Sequence, residues 1–340
     1  MGNSMTKRNA SATVFGWDFQ INAAIVLMLD NITEAQNVRV EGKTEDIEIL
    51  LSNGKTIYSQ VKSVEESSTD FRNVRKKLND AISSLSDAYQ VGNSEQLVYI
   101  TNSPNPFNDE KNKSIFYGNA VRSYDTLPED YQKNIDKMIS ALEYDISMDV
   151  NQFTIRIIPF ETNNFEERYK EIKHRIIEFL YDISPNVTGM GQEIMEIWQR
   201  ELFENASTSK PDITVSKKEL IWPIIVLSTD VQKCDSYILD EIDECDYRDL
   251  VYTYKTLINS RIERFEYATK IISDYQSYDF QGKVSDKLRS FIANSWENHL
   301  DEFENIEVDE EIKQQLIQII MYNILKQKRM ISDIKKKVRL

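Results

Sequence analysis

Alternating apolar and polar positions predict a β-hairpin between residues 44 and 63. The segment reads TEDIEILLSNGKTIYSQVKS, two strand-like runs on either side of an Asn-Gly pair. Successive side chains of a strand point to opposite faces of the sheet. A two-residue loop would set apolar residues of one run opposite polar residues of the other. A three-residue loop over 52–54, ending with Gly54 in the left-handed conformation, pairs Ile49 with Ile57, and we expect this register.

This register gives the hairpin one apolar face and one polar face. The apolar face carries Ile47, Ile49, Leu51, Ile57 and Val61. On the polar face Asp46 lies opposite Gln60, with Lys62 next along the strand. We therefore expect a polar cluster on one side of a sheet whose other side is core.

The flanking segments give the first hundred residues the order αβββαβ. Apolar residues at helical spacing predict helices over 15–30 and 70–90, and extended runs predict strands over 37–41 and 96–103. The last strand contains LVYIT, which is apolar enough for a central strand covered on both faces. The expected fold class is α+β, with a mixed sheet flanked by helices.

A breaker rich in Pro, Asn and Lys follows, and the pattern then becomes mainly helical. The predicted helices cover 128–145, 165–182, 189–205, 246–278, 283–305 and 309–336. The run FTIRIIPF at 153–160 predicts one strand, and 204–219 a linker or exposed loop. We expect three domains: 1–105, a mainly helical 106–230, and an α-helical 231–340 with a partner-binding or regulatory role.

The composition is typical of a globular protein with two or three domains. The 340 residues are 41% hydrophobic and 29% charged. The two cysteines, Cys234 and Cys245, fit neither a CxxC motif nor a disulfide framework. No signal peptide opens the chain and its apolar runs are too short to span a bilayer, so we expect a cytoplasmic protein that does not enter a membrane.

The net charge of -15 disfavours non-specific contact with nucleic acid, which leaves local basic patches to provide any such binding. One patch consists of Arg72, Arg75, Lys76 and Lys77. The other is the C-terminal segment KQKRMISDIKKKVRL, with seven basic residues against Asp333. A solvated helix face and a frayed basic tail would look the same, and the sequence leaves both interpretations open.

Candidate chemistry is concentrated in the pattern E-x4-D-x13-Q-x-K. Hydrolysis of a phosphodiester needs a divalent cation that lowers the pKa of the attacking water and neutralises charge on the phosphate. The expected oxygen donors are Asp46, the Gln60 amide and the Val61 backbone carbonyl. Such oxygens suit Mg²⁺, with Mn²⁺ as the alternative. Lys62 could orient or help deprotonate the water and stabilise the pentacovalent phosphorus.

An αβββαβ order with D-x13-QxK on its central hairpin resembles the PD-(D/E)xK restriction-endonuclease-like superfamily, in the variant where Gln replaces the acidic residue. Within it, GWDFQINAAIVLML, VRVEGKTEDIEIL and IYSQVKS resemble the double-stranded-DNA endonuclease domain of bacterial anti-phage effectors. That domain occurs in CD-NTase-associated nucleases and in the nuclease subunit of Lamassu and related ABC-three-component systems. The resemblance covers roughly residues 14–103, and the literal Pro-Asp dipeptide is absent.

The resemblance implies a Mg²⁺-dependent DNA endonuclease. The implied core triad is Asp46, Gln60 and Lys62. Glu41 and Gln20 are accessory ligand candidates, and the choice between Glu41 and Glu48 as second acid stays open. Because Gln60 is neutral, the site should hold a metal less tightly than one made only of carboxylates.

The resemblance also implies an effector of a Lamassu-like anti-phage system, which degrades double-stranded DNA when it is released or oligomerised on phage sensing. The implied partners are an SMC-like ATPase and a small accessory subunit, and the active state would be a homo-oligomer. Two other functions remain open: a catalytically inactive nuclease-fold interaction subunit, and an RNA-cleaving effector on the same core.

Other motifs do not indicate a second activity. Gly42-Lys43-Thr44 resembles the end of a P-loop, but the first required glycine position is Asn37. GMGQEI has two glycines of a dinucleotide-binding fingerprint and lacks the third. His174 and His299 have no partners at zinc spacing, so we expect each to be a helix-surface or core residue.

Overall fold

The chain folds into two compact units, described here from a computed structural model. The structure describes residues 10–65, 73–144, 146–228, 244–262, 264–304 and 306–340. The first unit contains the described residues up to Asp182, Gly191–Lys217 and Arg339. The second contains Ile183–Met190, the described part of Lys218–Val338, and Leu340. This grouping differs from the expected division at 105 and 230, because strands beyond residue 105 join the sheet of the first unit.

The first unit begins with the expected αβββαβ order. Its elements are α1 (Ala10–Asp30), β1 (Ala35–Val40), β2 (Ile47–Leu51), β3 (Thr56–Lys62), α2 (Val74–Val91), β4 (Ser94–Thr101), β5 (Val121–Ser123), α3 (Glu129–Ser140), β6 (Phe153–Ile157), α4 (Phe165–Arg168), α5 (Lys170–Ile183, of which Ile183 belongs to the second unit), α6 (Gly191–Ser207) and β7 (Val215–Ser216). Residues 70–72 of the predicted second helix lie outside the described residues.

The strands form one mixed sheet in the order β5-β6-β4-β3-β2-β1-β7. β4 runs parallel to both of its neighbours, β3 and β6, whereas β1, β2 and β3 form an antiparallel meander and β5 pairs antiparallel with β6. The expected α+β class with a mixed sheet is confirmed. β4 lies inside the sheet between β6 and β3, and Leu97, Val98, Tyr99 and Ile100 are all buried, as predicted for a strand covered on both faces.

The hairpin has the predicted register. Ile49 pairs with Ile57, and the backbone N–H of Leu51 donates to the Lys55 carbonyl across a three-residue loop. Gly54 has a φ of 79°, in the left-handed region where a residue without Cβ is least strained.

The polar face of the hairpin is less open than expected. Tyr58 and Gln60 are only 6% and 7% exposed. Tyr58 belongs to a core cluster with Leu78, Ile82 and other apolar residues of α2. Because α2 packs over β3 and β4, the polar cluster is partly buried rather than a solvated surface.

The segment predicted as a linker, 204–219, is tied to the sheet. It contains β7, which pairs with β1, and the start of the helix Lys217–Ser228. Arg39, 3% exposed, donates to the carbonyls of Asn205, Thr208 and Ile213. A buried guanidinium needs several acceptors, and these carbonyls provide them.

α1 packs against the sheet as a core helix. Within the described residues, its segment Ser11–Asp30 passes a length and composition test for a membrane-spanning helix. That segment is 67% buried inside the fold, as in the core helix of a soluble protein.

The second unit is helical in its described part. Its α-helices are α7 (Lys217–Ser228, of which Lys217 belongs to the first unit), α8 (Glu244–Ile262), α9 (Phe265–Ser277), α10 (Val284–Ser295), α11 (Glu310–Lys326) and α12 (Lys328–Val338). The apolar faces of α8, α9, α10 and α11 share a core that includes Ile258, Ile271, Phe291 and Ile320. His299 is buried in this unit, whereas His174 lies on the surface of α5. Cys234 and the side chain of Cys245 lie outside the described residues.

Candidate active site

The carboxylate of Asp46 is held by two donors from β3. Asp46 immediately precedes β2, and the register continues one residue beyond the Ile47–Ser59 pair to bring it opposite Gln60. One carboxylate oxygen, Oδ2, accepts the Val61 backbone N–H at 2.8 Å and the side-chain amide of Gln60. The predicted residues Asp46 and Gln60 are therefore in contact.

A second set of contacts joins Gln20 of α1 to the same place. Its Nε2 donates to the Glu41 carboxylate at 3.0 Å and to the backbone carbonyl of Asp46 at 3.0 Å. Gln20 is 7% exposed. It acts here as a donor that orients Glu41 and Asp46, rather than as an oxygen ligand beside them.

Glu41 and Glu48 have different surroundings. The Glu48 carboxylate accepts the backbone N–H groups of Thr44 and Glu45, at 2.6 and 3.1 Å, and so caps the turn between β1 and β2. A Cβ on Gly42 would lie 2.6 Å from Oε1 of this carboxylate, so the Glu48 side chain can take this position only beside a residue without a Cβ. Glu41 has a φ of 54°, an uncommon conformation for a non-glycine residue. The geometry favours Glu41 over Glu48 as the second acid.

Lys62 ends β3 at the rim of a cavity of about 330 Å³. The other lining residues are Ala12, Val61, Ser63, Val64, Glu65, Asn73 and Lys77. Within the described part of the chain, Lys62 makes no hydrogen bond or ion pair. Its ammonium is close enough to lower the pKa of Asp46. Lys62 thus combines nearness to Asp46 with access to an open cavity.

Burial dominates the ionisation of Asp46. It raises the pKa of this carboxyl, and the Glu41 charge raises it further. The Val61 N–H, the Lys62 ammonium and the Gln60 amide oppose that rise. A cation bound between Asp46 and Glu41 would favour their charged forms.

Glu45 is a site residue that the pattern analysis did not identify. It is 4% exposed, and its Oε1 accepts a hydrogen bond from Ser84 of α2 at 2.8 Å. Its Oε2 has no hydrogen-bond partner among the described residues. Burial raises its pKa from the ordinary 4.5 to about 7, and the Asp46 charge adds to this rise, whereas Ser84 and Lys62 oppose it. The pattern gave no signal, because Glu45 lies in the turn and its partner Ser84 is distant in sequence.

The basic residues of α2 are only partly available for a nucleic acid. Arg72 lies outside the described residues. Arg75 and Lys76 are exposed, and Arg75 donates to the Asn134 side chain at 3.1 Å. Lys77 is half-buried, donates to the Ser63 carbonyl and lines the same cavity as Lys62.

The donors at this site fit a hard divalent cation that keeps several waters. Asp46 and Glu41 provide two carboxylates, and the Val61 carbonyl and the Gln60 amide provide neutral oxygens. Gln60 now directs its amide nitrogen at Asp46, and turning the amide over would present the oxygen instead. Among the described residues there is no group of three or more His, Cys, Asp or Glu arranged to hold a metal. The donors named above form a partial shell, which suits Mg²⁺ because this cation usually keeps several waters.

Comparisons with protein-family models, with curated proteins and with solved structures found no match.

Proposed function

We propose that the chain is a metal-dependent endonuclease that cleaves double-stranded DNA. One observation carries the proposal: the Asp46 carboxylate accepts the Val61 N–H and the Gln60 amide, with Lys62 next on the same strand. This arrangement lies on the central hairpin of an αβββαβ unit, and that element order resembles the core of the PD-(D/E)xK nucleases. The fold class alone would support many functions, so the proposal depends on the site.

Each residue then has a distinct role. Asp46, Glu41, the Gln60 amide and the Val61 carbonyl would hold Mg²⁺ or Mn²⁺. The bound cation would supply a more acidic water and charge neutralisation at the phosphate. Gln20 would keep Glu41 and the Asp46 backbone in position. Lys62 would direct its ammonium at the scissile phosphate, where it can stabilise developing negative charge and orient the attacking water.

The wider biological role rests on the resemblance. It supports a cytoplasmic effector of a bacterial anti-phage defence system of the Lamassu type, with the helical second unit as the part that binds partners. Those partners would be an SMC-like ATPase and a small accessory subunit, and release or homo-oligomerisation would activate the nuclease. An RNA substrate needs the same phosphodiester chemistry, so cleavage must be assayed on both polymers.

A second candidate is a non-catalytic interaction subunit that keeps this fold as a scaffold. Two observations favour it: Gln60 is neutral, and the net charge of -15 disfavours contact with nucleic acid. Calorimetric titration with Mg²⁺ and with Mn²⁺ separates the candidates. Binding that Asp46→Ala abolishes supports the nuclease, and the absence of any Asp46-dependent binding supports the scaffold.

Plasmid cleavage with Mg²⁺ or Mn²⁺ tests the nuclease directly. Asp46→Ala and Lys62→Ala should each abolish cleavage while the far-ultraviolet circular dichroism stays that of the parent chain. Lys55→Ala is the matched control, since Lys55 lies at the start of the same hairpin's second run and pairs with Glu95 on the surface. Full cleavage by both site variants would overturn the assignment. Parallel assays on duplex DNA and on RNA identify the substrate.

A further inference from the structure

A basic cleft lies within the second unit, formed by residues that belong to that unit alone. Its volume is about 800 Å³. The lining residues are Ile183, Ser184, Lys326, Gln327, Arg329, Met330, Asp333, Lys336 and Lys337. Four of them carry a positive charge and one carries a negative charge, in a chain whose net charge is -15. The cleft therefore carries a net positive charge, whereas the chain as a whole carries a net negative charge.

Helical spacing places the basic residues on one face. Lys326 ends α11, and Gln327 keeps a helical conformation before α12 begins at Lys328. With 3.6 residues per turn, Lys326, Arg329, Lys336 and Lys337 all project to one side. The opposite side of α12 carries Ile331, Ile334 and Val338, all buried.

The burial of that apolar side indicates what kind of ligand the helix can take. A basic amphipathic helix that lies on a membrane inserts its apolar face into the lipid. In α12 that face is already packed inside the protein, so the basic side is the one left for a ligand. A polar, negatively charged ligand fits this surface.

Two of the basic side chains have no polar partner among the described residues. Arg329 and Lys336 are exposed and make no hydrogen bond or ion pair there. By contrast, Lys328 and Lys335 do not line the cleft, and their ammonium groups lie over the rings of Tyr275 and Phe265 at 3.8 and 4.9 Å. The helix thus separates lysines that pack on aromatic rings from basic groups directed at the cleft.

We propose that this cleft binds the phosphate backbone of a nucleic acid. An arginine fork and neighbouring ammonium groups match phosphate oxygens in charge and hydrogen bonding. The open, elongated row of charges suits a polymer with repeated phosphates. The inference deepens the proposed function, because it gives the substrate of the nuclease a second binding surface in the other unit of the chain.

Equilibrium binding without cleavage tests this proposal. The full chain with Lys62→Ala is titrated, in EDTA, against labelled duplex DNA, single-stranded DNA and RNA over a range of salt concentrations. Arg329→Glu with Lys336→Glu should weaken binding about tenfold or more, and should reduce the salt dependence by about two released ions. The matched control is Lys210→Glu with Lys283→Glu, two exposed lysines outside the cleft that give the same change in net charge. The control pair should retain most of the affinity.

Each other outcome overturns the proposal. Equal weakening by the two double variants would mean that binding follows net charge, and no binding by the parent chain would remove the site altogether. A parallel titration uses poly-glutamate. Loss of poly-glutamate binding with retained nucleic-acid binding in the cleft variant would assign the cleft to an acidic protein segment. This experiment measures binding and not cleavage, so its result is independent of the proposed nuclease activity. A chain without nuclease activity can still bind nucleic acid through the cleft, and an active nuclease can lack this binding.

Discussion

Gln20 lies at hydrogen-bond distance from Glu41, with Nε2 3.0 Å from Oε1, although Gln20 belongs to α1 and Glu41 follows the end of β1. The same amide group donates to the Asp46 backbone carbonyl. One buried side chain of α1 therefore sets the positions of both acids of the candidate site. Its contribution to activity should be separable from its contribution to stability.

Gln20→Leu tests this separation. The substitution keeps the size of the side chain and removes both hydrogen bonds, so we expect a loss of about 1–3 kcal/mol in the free energy of unfolding. If the site is a nuclease, single-turnover cleavage should fall about tenfold or more, as when an outer hydrogen-bond partner of a metal ligand is lost.

Asn31→Ala is the matched control for Gln20→Leu. Asn31 follows α1 and its side-chain amide donates to the Leu27 carbonyl at 2.9 Å, away from the site. This variant should lose some stability in urea unfolding and keep its cleavage rate. Equal losses of cleavage in the two variants would show that Gln20 supports only the fold.

Glu45→Gln should change how stability depends on pH. Burial raises the pKa of Glu45 from 4.5 to about 7 in the folded chain. The folded state thus keeps a proton that the unfolded state releases above pH 4.5. Stability is lost as the pH rises from 4.5 through 7, and the loss reaches up to about 3 kcal/mol at pH 8.

The glutamine variant does not ionise and escapes this loss, and its amide oxygen can still accept the Ser84 hydrogen bond. Urea unfolding in EDTA at pH 4.5 and pH 8 measures the effect. The variant should be more stable than the parent chain at pH 8 and similar to it at pH 4.5. Glu95→Gln, a surface substitution, should follow the parent at both pH values. If the free energy of unfolding changed equally between pH 4.5 and pH 8 in all three proteins, that result would contradict the assigned burial of the Glu45 charge.

Ile47→Asp tests the register of the hairpin. Ile47 is fully buried, so an aspartate there would put an unpaired charge into the core. We expect a loss of at least about 4 kcal/mol, which is enough to unfold a chain of ordinary stability. Leu50→Asp is the control, because Leu50 lies on the opposite face of the same strand and is only half-buried. Cooperative unfolding of a soluble Ile47→Asp protein, with Leu50→Asp the less stable of the two, would mean that the faces are reversed.

Local rules explain how much of the hairpin could be predicted from the sequence. Gly54 supplies the left-handed residue of a three-residue loop, and that loop sets the register that brings Asp46 to Gln60. These contacts depend only on residues of the hairpin itself and on the two-residue period of a strand. The hairpin sequence alone is therefore enough to predict them.

Glu45 and the sheet edges depended instead on distant parts of the chain. Glu45 is buried by α2, whose Ser84 lies 39 residues away. β5 has three residues and β7 has two, too few for any alternation to be visible. The acceptors of Arg39 lie in a segment that looks like a linker until the guanidinium is seen to bind it. A helix or strand can be predicted when it is long enough to show its periodic pattern of apolar residues. Contacts between residues far apart in the sequence become visible only in the folded structure.

Gln60→Glu tests whether the site is built for a cation. The variant restores the acidic residue that is usual in the nucleases this chain resembles, and it sets a second carboxylate against Asp46 in a buried place. Without metal the like charges repel, so the variant should unfold at a lower temperature than the parent chain in EDTA. With Mn²⁺ the extra carboxylate becomes a ligand, and the cation should raise the variant's melting temperature more than the parent's.

The same substitution in an Asp46→Ala background should lose most of the Mn²⁺ effect. A Gln60→Glu protein whose melting temperature is the same in EDTA and in Mn²⁺ would speak against a metal site and in favour of the scaffold.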